Sequence, residues 1–156
     1  MSEHTATIEW SRGDQDFAGH RYGRGHDWTF DGRAVVRGSS APTSVPVPMS
    51  EAEAVDPEEA LVAALSSCHM LFFLALAAKA GFVVDRYRDT PVGTLARDDR
   101  GRMSVTEIVL HPQVDWAGTG PEAAAIDALH EQSHRLCYIA NSIRAEVRIE
   151  AVRPDA

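Results

Sequence analysis

The stretch DPEEALVAALSSCHMLFFLALAAKAGF, Asp56 to Phe82, decides the fold. Asp56 can cap a helix, Pro57 suits a first turn, and Glu59 stands three residues after the cap. Leu61, Leu65, Cys68, Phe72 and Ala75 recur at helical spacing on one face. The opposite face is apolar too, so this helix should be covered on nearly all sides. Gly81 is the natural stop. The run Ala60–Ala80 is about long enough to span a bilayer. Ser66, Ser67, Cys68 and His69 cluster at its midpoint, however, where polar groups cost most, and its alanines give little drive for insertion. The stretch reads as the buried helix of a soluble protein.

The rest of the composition agrees. The 156 residues are enough for one domain, 1–156, with a real core. Hydrophobic residues make up 44% and charged residues 24%, the balance of a globular chain. A net charge of −8 argues against nucleic acid, which needs a basic face. The start, MSEHTATIEW, has neither the basic nor the apolar part of a signal peptide. Two cysteines, Cys68 and Cys137, are too few for a disulfide framework. The expected compartment is a reducing cytoplasm, where a cysteine pair is more often catalytic or metal-binding than structural.

Outward from the helix, TATIEW alternates like a strand, and HDWTFDGRAVVRG holds two β-rich pieces around Asp31-Gly32, a hairpin turn. Pro42, Pro46 and Pro48 break the stretch before the helix into a loop. Beyond Gly81, alternation around Thr94–Ala96 and Met103–Leu110 brackets the polar turn Asp98–Gly101. Pro121 opens a second helix through about Tyr138, with Ile126, Leu129, Ser133, Leu136 and Cys137 near one side. AEVRIEAV closes as a strand with Val147 and Ile149 inward. The order β-β-β, α, β-β, α, β predicts an α+β domain, two helices against antiparallel sheet, with one cysteine mid-helix on each helix.

Both cysteines read as small core hydrophobes or as a thiol pair joined by helix packing. A reactive thiolate needs a cation, a helix N-terminus or a histidine. Cys68 lies too deep in its helix for the dipole, and His69 points elsewhere around the helix, so an arginine from another segment is the better partner. Glu58, ten residues before Cys68, would lie about 15 Å away along an unbroken helix. The two could share a site only through a long side chain between them or through a second subunit; alone, Glu58 is a first-turn acid favoured by the dipole. HEQSH, His130 to His134, matches the H-E-x-x-H zinc motif. No convincing third ligand follows, and the alternative is two histidines on the exposed side of a surface helix.

DPEEALVAALSSCHM, followed by an apolar helix and glycine, resembles the family of osmotically inducible protein C and organic hydroperoxide resistance protein (OsmC/Ohr). In that family a cysteine follows the first glutamate by ten residues, here Glu58 and Cys68, and a second cysteine matches Cys137 in HRLCYIANS. Many members read Cys-Pro-x-Ser there, whereas this chain reads Cys-Tyr-Ile-Ala-Asn-Ser, as in an OsmC-like branch. The resemblance implies an intertwined homodimer with antiparallel sheets around two central helices. It implies a thiol-dependent peroxidase that turns organic hydroperoxides into alcohols without metal, flavin or other cofactor. Cys68 would be the peroxidatic thiolate, Cys137 the resolving thiol, and a lipoyl-type dithiol the reductant. An arginine held by Glu58 would stabilise the thiolate, Arg24 first and Arg37 as runner-up. Leu71, Phe72 and Phe73 would receive the apolar tail, with His69 structural or facing the second subunit. The alternatives are a non-catalytic OsmC-like binding or stress protein and a zinc hydrolase on His130 and His134.

Overall fold

The computed structural model describes residues 1–152, and the chain divides into two compact units, Met1–Ala60 and Leu61–Ala156. The first unit is a three-stranded antiparallel sheet of β1 (Ala6–Glu9), β2 (His26–Phe30) and β3 (Val35–Gly38), in that order. The β2–β3 turn is the predicted one, but its left-handed residue is Arg33 (φ 64°) and not the glycine. The amide of Arg33 bonds Phe30 O at 2.9 Å and Phe30 N bonds Ala34 O at 2.9 Å, which closes a three-residue loop, Asp31 to Arg33. After β3 the chain returns beside it: Ser39 N donates to Val55 O and Val55 N to Arg37 O, both at 3.0 Å.

Helix α1 (Pro57–Lys79) starts on a reciprocal capping box, with Glu59 N on Asp56 Oδ1 at 2.8 Å and Asp56 N on Glu59 Oε2 at 3.1 Å. It runs unbroken to Lys79, and Gly81, at φ 83°, turns the chain out of it. By length and composition it would cross a membrane. It is instead a core helix: Leu65, His69, Phe73 and Ala77, four apart, are buried along it.

The second unit adds β4 (Val84–Arg88), β5 (Val92–Arg97), β6 (Met103–Leu110), β7 (Gln113–Trp116), α2 (Ala123–Leu136), a 3-10 turn at Ala140–Ser142 and β8 (Glu146–Ile149). β4 and β7 form an antiparallel pair, and β5, β6 and β8 a second sheet. The α+β class is as expected, with two differences. β8 runs parallel to β6, so the second sheet is mixed. The β4–β7 pair has no counterpart in the predicted order: its register shifts between Val84 and Arg86, and that bulge breaks the alternation by which a strand is read.

Two apolar clusters fill this unit. Leu65, Ile108, Leu110 and Cys137 are buried together, with Leu61, Cys68, Phe72, Val147 and Ile149 packed on them. Phe73, Ala77 and Leu129 make the second, with Tyr87, Val114 and Trp116 around it. The α2 face differs from the predicted one. Leu136 is 42% exposed, whereas His130, expected on the outer side, is 4% exposed.

Candidate active site

Cys68 and Cys137 meet in the first cluster. Both are free thiols, Cys68 half-buried and Cys137 fully buried, packed in one cluster and close enough that Cys68 contributes to the raised pKa of Cys137. Cys68 comes from α1, one turn after Leu65 and one turn before Phe72. Cys137 is not mid-helix as predicted: α2 ends at Leu136 and Cys137 caps it. Its amide still bonds Ser133 O at 2.9 Å, but its ψ of 113° is extended, so the chain leaves the helix there. The next turn folds back over the sulfur. Asn141 N bonds Cys137 O at 3.1 Å, Ser142 Oγ bonds Tyr138 O at 2.6 Å, and Ala140 N donates to Cys137 Sγ at 3.4 Å.

Burial pushes the Cys137 thiol up to about 11; the Ala140 amide pulls the other way and the Cys68 thiol adds to the rise. Beside the pair, Phe72 meets Tyr138 edge to face at 5.1 Å between centroids, and Tyr138 is 71% exposed. The arrangement is a solvent-reached thiol against an inner thiol held protonated, within an apolar wall.

His69 follows Cys68 in sequence but belongs to the other cluster. Its Nε2 is 3.1 Å from Nδ1 of His130, with the rings parallel within 8°, and Phe73 stacks on His130 at 4.4 Å between centroids. Burial lowers both rings to about 4; His130 and His134 add to this for His69, while Asp127 and Asp89 oppose it for His130. Both are neutral at pH 7, so neither supplies a cation. The H-E-x-x-H stretch is not laid out for zinc: His130 is turned onto His69, and Glu131 reaches Arg135 at 3.7 Å. Among the described residues no group of three histidine, cysteine, aspartate or glutamate side chains is arranged to hold a metal.

Glu58, Arg24 and Arg37 lie in the first unit, and Glu58 pairs with neither arginine. Arg37 grips Glu51 through Nε (2.7 Å) and Nη2 (2.6 Å) and meets Asp27 at 3.0 Å; these bonds raise its pKa and hold Glu51 below the usual carboxylate range. Arg24 lies two residues before β2. Its guanidinium covers the Tyr22 ring at 3.7 Å, donates to Tyr22 O and meets no carboxylate among the described residues.

Residues 50–152 match the family of OsmC-like proteins. The chain belongs to that family. An OsmC-like protein of unknown function from Vibrio cholerae shares 47% identity over 97% of this chain and 100% of its own, with a TM-score of 0.95. An organic hydroperoxide resistance protein from Elizabethkingia anophelis shares 15% identity over 97% of this chain and 94% of its own, at TM-score 0.71. OhrB, an organic hydroperoxide resistance protein of Bacillus subtilis, shares 14% over 97% and 98%, at TM-score 0.70. These two likenesses to the OsmC-like chain concern the fold. No curated protein matches the sequence. The amides that cover Cys137 and the His69–His130 pair were not predicted. Asn141 and Ser142, turn-formers directly after the cysteine, were the available signal for the first.

Proposed function

We propose that this OsmC-like chain is a thiol-dependent peroxidase acting on organic hydroperoxides. The observation that carries the reading is the packing of two free thiols, half-buried Cys68 and fully buried Cys137, in one apolar cluster. The Cys68 thiolate attacks the terminal peroxide oxygen; the O–O bond breaks, and the alkoxide takes a proton and leaves as the alcohol. Cys68 is then a sulfenic acid. Cys137 attacks that sulfur, water leaves, and a disulfide forms. The Ala140 amide, which opposes the rise in the Cys137 pKa, favours the thiolate that Cys137 forms on losing its proton before it attacks. An external dithiol of the lipoyl type restores both thiols. A reducing cytoplasm suits the pair.

Arg24 is the guanidinium assigned to the Cys68 thiolate, with Glu58 as its carboxylate partner. Arg37 is committed to Glu51 and Asp27, whereas among the described residues Arg24 is spent on no carboxylate. The two units act as one OsmC-like domain, 1–156, in a two-fold homodimer. Leu71 on α1 is 61% exposed in a single chain, and an apolar helix side of this kind calls for a second surface.

The test is consumption of an organic hydroperoxide, set against hydrogen peroxide, with a dithiol as reductant. Turnover that favours the organic peroxide and vanishes in Cys68→Ser is expected. A purified dimer with reduced thiols and no turnover would overturn the reading in favour of a non-catalytic binding protein.

A further inference from the structure

A second cleft, unconnected with the thiol chemistry by any step above, opens at the β5–β6 turn. Its volume is about 870 Å³, within the range of small-molecule sites. Four arginines line it: Arg97, Arg100, Arg102 and Arg144. Two of them are used by the turn. Arg97 Nη1 donates to Gly101 O at 2.7 Å, and Arg102 reaches Asp98 Oδ2 at 3.2 Å. Asp98 is used as well, since its Oδ1 accepts the amides of Arg100 at 3.0 Å and Arg102 at 2.8 Å. Arg100 and Arg144 form no ion pair among the described residues, and Asp99 is the one further acid in the lining. The chain as a whole carries −8, so four guanidiniums against two carboxylates in one cleft, with Arg144 close enough to help hold the Asp98 carboxyl down, are a local reversal of sign. Part of the lining is apolar: Leu61, Val105, Ile143 and Ala145 line the cleft and pack onto the cluster of Leu65, Ile108 and Leu110.

We propose that this cleft binds an anionic amphiphile, its carboxylate on Arg144 and Arg100 and its hydrocarbon chain along Leu61, Val105 and Ile143. Guanidinium forks match a carboxylate in a bidentate way, and the apolar wall supplies what a bare inorganic anion could not use. The inference goes beyond the peroxidase reading and does not need it.

Cis-parinaric acid, a fluorescent polyene carboxylate with no peroxide group, is the probe. It is titrated into the full chain with reduced thiols, so a protein without peroxidase activity still gives a readable result. Saturable binding is expected, displaced by dodecanoate and displaced about tenfold less well by dodecanol, which lacks the charge. Arg144→Gln should weaken binding about tenfold, as expected for one charge-assisted contact. Arg100→Gln and the dodecanol arm carry the test if that variant fails to fold. Equal displacement by dodecanol and dodecanoate would overturn the proposal. So would unchanged binding in folded arginine variants, or displacement by inorganic phosphate as effective as by dodecanoate.

Discussion

Replacing Cys68 by serine should leave a protein whose remaining cysteine is almost inert while folded. Cys137 is fully buried, and its thiol is pushed up to about 11. At pH 8 about one such thiol in a thousand is thiolate, against roughly a quarter of ordinary cysteine thiols. Thiolate population alone therefore slows iodoacetamide about 200-fold relative to a free thiol, and burial adds to that. The serine keeps a hydrogen-bonding group beside the sulfur, and burial, the largest cause of the raised pKa, stays. The sign follows: the rate should climb tenfold per pH unit through the neutral range. In the native chain, alkylation followed by intact mass should stop at a single adduct on Cys68, with the second appearing on unfolding. If folded Cys68→Ser alkylates at Cys137 within about tenfold of a free thiol at pH 8, the inner-thiol assignment fails.

The His69–His130 pair makes the fold acid-sensitive. Both rings have folded pKa values near 4, below the unfolded value of 6.5. The unfolded chain binds the protons first, so the stability is whole above about pH 6.5 and is lost as pH falls towards 4, by up to about 1.4 kcal/mol per pH unit for each ring. Urea midpoints from pH 7 to 4.5 should show this slope, and a folded His69→Leu/His130→Leu variant that keeps it would count against the pair. Asp56→Ala removes the bond from Glu59 N to Asp56 Oδ1, while the backbone amide of residue 56 can still reach Glu59, and should cost about 1 kcal/mol in chemical denaturation; no change would mean the cap is not intact in solution. Leu71→Glu, at a position 61% exposed in one chain, should leave circular dichroism native while sedimentation shows a monomer; a dimer that survives it does not use this side of α1.

What was legible in the sequence was local. The Asp56–Glu59 box, the Gly81 stop and the turns at Asp31–Gly32 and Asp98–Gly101 rest on side chain-to-backbone chemistry within a few residues, and each stands where it was read. The β4–β7 pair has no legible counterpart because a bulge after Val84 spoils the period of β4. The end of α2 was read two residues late. Nothing in RLCYIANS forbids another half-turn; Cys137 leaves the helix where its sulfur is buried against Cys68 and covered by Ala140. His130, which the alternative to a zinc site puts on the exposed side of α2, is buried, because a neutral ring with a partner on α1 is accepted in a core. The Arg24–Glu58 pairing inferred from the resemblance finds no counterpart in the first unit taken alone.

Cys68 stands beside His69 at the centre of an apolar helix, yet neighbours in a helix do not share a face. The packing assigns them to different places. Leu61, Leu65, Cys68 and Phe72 turn to the cluster that holds Cys137, while His69, Phe73 and Ala77 turn to the one that holds Leu129. Adjacent positions are about 100° apart around a helix, so a helix buried on two sides must place neighbouring residues in separate cores. His69 then spends its Nε2 on His130 and stays neutral. The polar group that made the helix unfit for a membrane thus joins α1 to α2, and the charge that a Cys68 thiolate requires has to come from elsewhere in the protein. Among the described residues Arg24 owes no carboxylate and Arg37 owes two, which is why Arg24→Ala, and not Arg37→Ala, is the change expected to slow the consumption of an organic hydroperoxide.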